Sequence, residues 1–333
     1  MKKKNFLLLA VLLTAVILSV IVALLSGEYP LAAADIWAVL SGSSTLASHS
    51  EVLYKLRLPR IILGLTIGGA LSLCGTILQG IFRNPLVEPY TLGISGGASL
   101  AICLVIVLKI TLLPAVVMLP LAGFSGALVT VLLVYVLTMR KAFFNINNLL
   151  LTGVMISFIA SSLVMFLMSV AGKDNLHSII FWIMGWLDTS QPLLIYIVAA
   201  ASVTGLALGY FYMLDLNALS LGEEEAFHLG INIERTKKIL FLTASLLTGL
   251  CVAVAGIIGF VGLVIPHFVR LFTGNDHRIL LIASYLGGAV FLLNCDTLAR
   301  TIIAPRQLPV GVITGIIGGL IFIYAVSGKK IEL

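Results

Sequence analysis

Apolar runs of about 20 residues recur along the whole sequence, and short breaks that hold charged and turn-forming residues separate them. A helix of about 20 apolar residues crosses the roughly 30 Å hydrocarbon core of a bilayer. We therefore predict an all-α membrane protein with about ten transmembrane helices. The predicted spans are 6–25, 61–80, 92–110, 113–138, 148–171, 191–213, 239–259, 260–273, 279–298 and 308–327.

The composition leaves little room for a large soluble domain in addition to the spans. Hydrophobic residues make up 60% of the chain and charged residues 10%, whereas a soluble domain is about 45–50% apolar and about 25% charged. Residues 1–333 are predicted to form a single transmembrane domain, within which 214–238 is the longest polar connection. The first apolar run follows Lys2 to Lys4 and is long for a cleaved signal, so it is predicted to be the first span.

The charge distribution predicts the orientation in the membrane. Both termini are basic, and an even number of spans places both of them in the cytoplasm, as the positive-inside rule favours. The net charge of +6 is spread over the flanks of apolar runs, which is typical of membrane topology rather than of nucleic-acid binding. Two outward junctions, 57–60 and 296–309, both contain Arg and Pro, which indicates an inverted repeat of two halves.

Motifs for ATP binding and for metal catalysis are absent. The sequence has no G-x-x-x-x-G-K-[ST] phosphate loop and no H-E-x-x-H, and its histidines and cysteines have no metal-ligand spacing. Acidic residues fall in loops or at span ends, with only Asp296 near membrane depth, so the groups that usually couple transport to an ion gradient are missing. The energy source is therefore expected in a partner. A gradient-driven secondary transporter or channel is the alternative from another class.

The connection from Asp215 to Lys238 contains a predicted surface helix at 220–230. Ser220 and Glu223 have capping-box spacing, three glutamates fall in the first turn, and Gly230 is placed to end the helix. On local pattern alone, the segment is either a solvated connector or a docking site for a partner.

Two further groups of residues each allow two interpretations. Arg57, Arg60 and Arg300 lie on the outward side, where Arg300 could pair with Asp296 and the others could extend to lipid headgroups. Alternatively, the three guanidiniums could bind carboxylates of an external protein. In the fifth span, Gly153, Ser157 and Ser161 recur at i, i+4 and i+8, which suits either a path lining or helix packing.

Several strings together resemble the permease subunits of ATP-binding cassette (ABC) importers for iron-siderophore complexes, haem and cobalamin, the type II importers. The resemblance covers nearly the whole chain. Its specific parts are Arg57-Leu-Pro-Arg60, Gly75 through Gln79 to Arg83-Asn84-Pro85-Leu86, Pro89, Leu92-Gly93, Gly222 with Ala226, Leu229 and Gly230, Gly256 through Gly259-Phe260-Val261-Gly262-Leu263 to Pro266-His267 and Arg270, Asp276-His277-Arg278, Asp296 to Arg300, and Leu308-Pro309-Val310-Gly311.

The resemblance implies a transport subunit that is not itself an enzyme, in the cytoplasmic membrane, with ten spans. Its partners would be a second permease, identical or paired, two cytoplasmic ATPase subunits, and an extracytoplasmic solute-binding protein. No cofactor is expected on this chain, because ATP and Mg²⁺ would be bound by the ATPase. An iron-siderophore-type chelate is the expected cargo, with haem and cobalamin as alternatives.

The same resemblance implies roles for particular residues. The residues implied in coupling to the ATPase are Leu221, Gly222, Glu223, Glu224, Ala226, Leu229 and Gly230. Those implied in docking the binding protein are Arg57, Arg60 and Arg300. Those implied along the path are Gly153, Ser157 and Ser161, and those near a gate are Asn145, Asn147 and Asn148. The chain departs from the family pattern at Gln307, where an acid is common, at Trp186, where Ser is common, and at Gly318-Gly319-Leu320.

Overall fold

The computed structural model describes residues 3–27, 29, 31–43, 47–139, 146–187 and 191–327, which form α-helices joined by short connections and contain no strand. The helices are α1 (Lys3–Leu25), α2 (Ala33–Leu40), α3 (Ala47–Glu51), α4 (Leu58–Phe82), α5 (Ile94–Val107), α6 (Ala115–Met139), α7 (Ile146–Val170), α8 (Lys173–Ile183), α9 (Pro192–Phe211), α10 (Met213–Leu221), α11 (Glu223–His228), α12 (Ile233–Ala255), α13 (Val261–Thr273), α14 (His277–Thr301) and α15 (Val310–Ser327). A π-helical turn, Val52–Arg57, joins α3 to α4, and a 3₁₀ turn, Pro89–Leu92, precedes α5.

The predicted helical membrane fold is confirmed. Among the described residues, seven helices are long and apolar enough to cross a bilayer, and α5, α13 and α15 are apolar but shorter. Each of these helices overlaps one of the predicted spans. The segment predicted at 260–273 is indeed short, because α13 has 13 residues and so extends only about 20 Å. The count of ten crossings and the inverted repeat stay predictions.

Helix α4 forms the centre of the bundle and packs against α9, α12, α13 and α14. Nearly every side chain from Arg60 to Phe82 is buried. Close contact depends on glycine: a Cβ added at Gly68 would lie 2.3 Å from the carbonyl oxygen of Gly288, and one at Gly75 would lie 1.8 Å from that of Gly262. Small residues let helix backbones approach in a membrane, where lipid gives helices no hydrophobic reason to associate.

The chain re-enters the bundle after α4. A Cβ added at Gly262 would lie 2.6 Å from Pro89 Cδ and 2.9 Å from the carbonyl oxygen of Leu71, and Leu71 lies about 16 Å along α4 from its end at Phe82. The Tyr90 hydroxyl donates to the carbonyl of Ile258 at 3.0 Å and accepts from the N–H of the same residue at 3.2 Å. Non-helical backbone is tolerated at this depth because protein groups satisfy its hydrogen bonds.

The two ends of the bundle differ in chemistry. Arg60, at the start of α4, contacts Asp296 near the end of α14, whereas Gly80, near the end of α4, lies against His277 at the start of α14. The helices are therefore antiparallel. We call the end with residues 57–60 and 296–300 the arginine end, and the end with residues 213–231 and 274–277 the connector end.

Candidate functional site

We call residues 213–231 the connector, and they contain two helices, α10 and α11, where one helix was predicted at 220–230. Gly222 separates them with φ +152° and ψ 159°, a backbone conformation that is essentially restricted to glycine. The predicted capping box is wrong: Ser220 lies inside α10 and its hydroxyl donates to the carbonyl of Asn217 at 2.6 Å, and the residue that caps α11 is Gly222, which has no side chain.

The helix α11 ends near Gly230, as predicted. Gly230 adopts φ +80°, its N–H donates to Phe227 O at 2.9 Å, and the N–H of Ile231 donates to Ala226 O at 3.1 Å. This pair of bonds is the Schellman arrangement that commonly closes a helix. Ala226 is fully buried in a small cluster that includes Ala218 and Leu219, so the turn holds α11 against α10.

Ion pairs and hydrogen bonds fasten the connector to α12. Lys237 Nζ lies 2.7 Å from Glu223 Oε1, although the lysine side chain is only 3% exposed. One residue earlier, the Thr236 hydroxyl donates to Asp215 Oδ2 at 2.8 Å. Both α10 and α11 are therefore bonded to the first two turns of the same long helix.

A second attachment joins the connector to α14. The Asn217 side chain donates to Asp276 Oδ1 at 2.9 Å and accepts from the backbone N–H of His277 at 2.8 Å. Desolvation alone would raise the pKa of Asp276, but the hydrogen bonds from Asn217 and from the N–H of Arg278, together with the charges of Arg278 and His277, hold this pKa below its ordinary value. A displacement of α10 would therefore be transmitted to the start of α14 through these hydrogen bonds.

The exposed side of the connector carries three large apolar side chains among charged ones. Leu221, Phe227 and Leu229 are 66%, 69% and 65% exposed, and Glu224 and Glu225 beside them are exposed as well. Leu221 ends α10, Phe227 lies in α11 and Leu229 follows it, and all three lie outside the candidate spans. An exposed apolar patch rimmed by carboxylates is characteristic of a protein-binding surface.

At the arginine end, one carboxylate joins two guanidiniums. Asp296 is fully buried, with Oδ1 2.9 Å from Arg60 Nε and Oδ2 3.0 Å from Arg300 Nε. Arg60 also donates to Gln307 Oε1 at 2.8 Å and lies 5.4 Å from the centre of the Trp186 ring. Gln307 and Trp186 are two of the three places where the chain departs from the family pattern, and both contact the same guanidinium.

The arginines themselves are buried. Arg57, Arg60 and Arg300 are 3%, 8% and 6% exposed, and Arg57 donates to the backbone carbonyls of Leu24 and Tyr29. The predicted Arg300–Asp296 pair is confirmed. The expectation that Arg57 and Arg60 extend to headgroups is wrong, because intramolecular acceptors inside the bundle bind both side chains. The docking role stays a prediction.

The predicted path residues occupy different surroundings. Gly153 is buried, and a Cβ there would lie 2.8 Å from the α-carbon of Leu92, which is a packing contact. Ser157 is half-buried against Gly96. Ser161 is exposed and lines a cavity of about 320 Å³ together with Ser95 and Ser99.

The predicted gate is only partly described. Asn145 and the side chain of Asn147 lie outside the described residues. Asn148 is half-buried in the first turn of α7, where its carbonyl accepts from Thr152 at 2.7 Å. The gate and the path roles stay predictions.

A sequence model of the FecCD transport family matches residues 13–327. The chain belongs to the FecCD transport family. It is 36% identical over 292 residues to the hemin transport system permease protein HmuU of Yersinia pestis, with 87% of each chain covered. It is 38% identical over 277 residues to the cobalamin import system permease protein BtuC of Halobacterium salinarum, covering 83% of this chain and 73% of the relative.

A solved structure gives the same assignment. It shows an inward-facing conformation of a transporter assigned to the metal-chelate type of ABC transporter, and it matches with a TM-score of 0.86 at 29% identity, covering 96% of this chain and 99% of that one. The FecCD member described here is therefore a multi-pass membrane permease of the ABC type.

Sequence reasoning missed Lys237 and Asn217 as attachments of the connector. The burial and pairing of Lys237 could have been predicted, because it lies on the same helix face as the buried residues Leu240, Phe241 and Ala244. A buried lysine without a partner is unfavourable. The contacts of Asn217 could not have been predicted, since its partners lie 59 and 60 residues away in sequence.

Proposed function

We propose that this FecCD permease is the membrane subunit of an ABC importer that moves an iron-siderophore-type metal chelate inward across the cytoplasmic membrane. Two ATPase subunits would bind the connector from the cytoplasm and would hold the ATP and Mg²⁺. A second permease, identical or related, would complete the path. The observation that carries the proposal is the exposed patch formed by Leu221, Phe227 and Leu229 on a segment that is bonded to two long helices.

The attachments suggest how ATP hydrolysis would reach the path. Movement of the connector would pass through the Lys237–Glu223 pair to α12 and through Asn217 to α14. Both helices pack directly on α4, the central helix of the bundle. Rigid elements that move as units convert a small displacement at one site into opening or closing at another, which gives alternating access.

In the proposed orientation, the connector end faces the cytoplasm, together with both termini, and ten helices cross the membrane. The arginine end then faces outward and receives a solute-binding protein. Among the described residues, Asp296 is the only carboxylate that binds Arg60 and Arg300, and Arg57 donates to backbone carbonyls, so the described cluster has more cationic than anionic groups. Because the guanidiniums are buried, their contribution would be a field that attracts an acidic partner rather than direct contact.

The path would run between the two permeases, where Ser157 and Ser161 on α7 are the candidate wall residues and Asn147 and Asn148 lie at its gate. The cargo is proposed as an iron-siderophore-type chelate, and haem and cobalamin, for which the two relatives are named, are the alternatives. Gradient-driven transport gains no support, because both oxygens of Asp296 already accept from guanidiniums.

The test is reconstitution of the permease with its ATPase subunits and binding protein in vesicles. The triple variant Leu221→Asp, Phe227→Asp, Leu229→Asp is expected to lose ATPase binding and ATP-dependent uptake of a ferric siderophore. The matched control is Leu112→Asp, a residue that is 82% exposed in the connection between α5 and α6, away from the connector. Uptake without any ATPase subunit would contradict the proposal, and so would full ATPase binding by the triple variant.

A further inference from the structure

We propose that a basic cavity at the connector end binds the phosphate group of an anionic phospholipid. The cavity has a volume of about 710 Å³ and lies among the ends of α1, α9, α13 and α14. Its charged lining residues are Lys4, Arg270, Arg278 and Asp276. The helix ends that surround it place it at the level of the headgroups, and under the proposed orientation these belong to the cytoplasmic leaflet.

No side-chain hydrogen bond or ion pair joins the cations of this cavity to the described part of the chain, although the charge of Arg278 does act on Asp276. Arg270 is half-buried, and its guanidinium makes no hydrogen bond or ion pair with any described residue. The side chains of Lys4 and Arg278 are exposed and likewise have no such contact with described residues. A partly buried guanidinium without an acceptor is unfavourable, so the cavity favours an anion.

The carboxylate in the lining does not neutralise the cavity. Asp276 Oδ1 already accepts from the Asn217 side chain at 2.9 Å and from the Arg278 N–H at 3.1 Å. Three cationic side chains line the cavity with this one carboxylate, so the lining keeps an excess of positive charge. Phosphate suits this arrangement, because its oxygens accept bidentate hydrogen bonds from arginine and form an ion pair with lysine.

An apolar groove adjoins the cavity and points to a lipid as the source of the phosphate. The groove has a volume of about 480 Å³ and is lined mainly by apolar side chains of α1, α13, α14 and α15. Phe272 lines both the groove and the basic cavity, and the consecutive residues Leu8 and Leu9 line one each. A molecule with an anionic head and an acyl chain would fill both spaces, whereas free phosphate would fill one.

Basic pockets between helices on the cytoplasmic side are known to bind anionic headgroups, and each cation near the membrane surface contributes roughly 1 kcal/mol, or about a fivefold change in affinity. The bound lipid would bridge α1 to α13 and α14. It would also lie beside the attachment of the connector at Asn217 and Asp276.

The experiment is native mass spectrometry of the purified full-length chain in detergent with phosphatidylglycerol or phosphatidylcholine added. We expect phosphatidylglycerol to bind preferentially, and the preference to fall by about fivefold or more in Arg270→Gln and further in Arg270→Gln, Arg278→Gln. The matched control is Arg235→Gln, an exposed arginine at the same end outside the cavity, which should keep the preference. Lys4→Gln removes an exposed charge from the cavity lining and should also lower the preference.

A second arm distinguishes lipid from free anion. Excess inorganic phosphate should not displace the phosphatidylglycerol, because the acyl chain also contributes to binding. The proposal is overturned if phosphate displaces the lipid fully, or if the cavity variants and Arg235→Gln show the same preference. Neither result bears on ATP-driven uptake, so the lipid site and the proposed transport function can fail separately.

Discussion

Arg60 Nε lies 2.9 Å from Asp296 Oδ1, and this contact joins two helices whose residues are 236 positions apart in sequence. Arg300 binds the other oxygen of the same carboxylate at 3.0 Å. The fully buried Asp296 therefore serves two buried cations at the arginine end of the bundle. Such a carboxylate stabilises the fold chiefly because its loss would leave two guanidiniums without compensation.

Replacing Asp296 by Asn should accordingly destabilise the protein by about 3–5 kcal/mol, the usual cost of breaking a buried ion pair from one side. The measurement is the unfolding transition in detergent, together with the yield of folded protein. Asp174→Asn is the control, because Asp174 is exposed at the start of α8 and such surface changes stay within about 0.5 kcal/mol. Equal stability of the two variants would show that the buried network is not important for the fold.

Gly75→Ala should prevent folding, because the new Cβ would lie 1.8 Å from the carbonyl oxygen of Gly262 and backbone would have to move. The matched control is Gly315→Ala in α15, where an added Cβ meets no atom within 4 Å. Removing that glycine should stabilise α15 by about 0.5–1 kcal/mol. Monodispersity in gel filtration separates the two outcomes, and a monodisperse Gly75→Ala would refute the predicted clash.

Most of the helical framework could be predicted, because a bilayer imposes one length and one composition on every span. The positions of α12 and α14 follow from apolar runs that end at charged residues. The helix break at Gly222 could not be predicted, because a glycine within a short polar helix is compatible with continuation until the backbone angles are known.

The arginine end shows a different limit of sequence reasoning. The spacing of Asp296 and Arg300 predicts their pair, since residues four apart share a helix face. Nothing local indicates that Arg60 binds the same carboxylate from another helix, or that Gln307 and Trp186 contact Arg60. Long-range partners of this kind depend on packing. They explain why three arginines predicted on the outward side are buried in the structure.

Acid should loosen the connector at its contact with α14. The pKa of Asp276 is held below its ordinary value of 3.8 by hydrogen bonds that its ionised form accepts and by the nearby charges of Arg278 and His277. The stabilisation is therefore present above pH 3.8 and is lost as the pH falls through the lowered pKa. Hydrogen exchange of residues 213–221, corrected for the intrinsic rate, should show protection at pH 5 that declines towards pH 3.

The variant Asn217→Ala provides the control for this pH effect. It removes the side chain that donates to Asp276, so its exchange should already be faster at pH 5 and should depend less on pH. If Asn217→Ala keeps the full pH dependence, the carboxylate acts through a contact other than this hydrogen bond.

Two adjacent lysines offer the sharpest test of how the connector is coupled to the bundle. Lys237 is 3% exposed and pairs with Glu223 of the connector, whereas Lys238 is 34% exposed and pairs with Glu234 within α12. Lys237→Met keeps the length and apolar stem of the side chain, and the glutamate it releases is 59% exposed and can be solvated. The fold should therefore survive, while the link between α11 and α12 is lost.

We expect Lys237→Met to bind the ATPase subunits normally but to transport less substrate per ATP hydrolysed. The decrease should be at least about fivefold, which corresponds to the smallest coupling free energy that is usual between two sites. Lys238→Met should match the unmodified protein, because its exposed pair with Glu234 contributes little and its other contact, with Tyr135 of α6, does not involve the connector. Uptake and phosphate release, measured in the same vesicles, give the ratio directly. An unchanged ratio in Lys237→Met, with ATPase binding intact, would mean that force reaches the path through the Asn217 attachment to α14 instead of through α12.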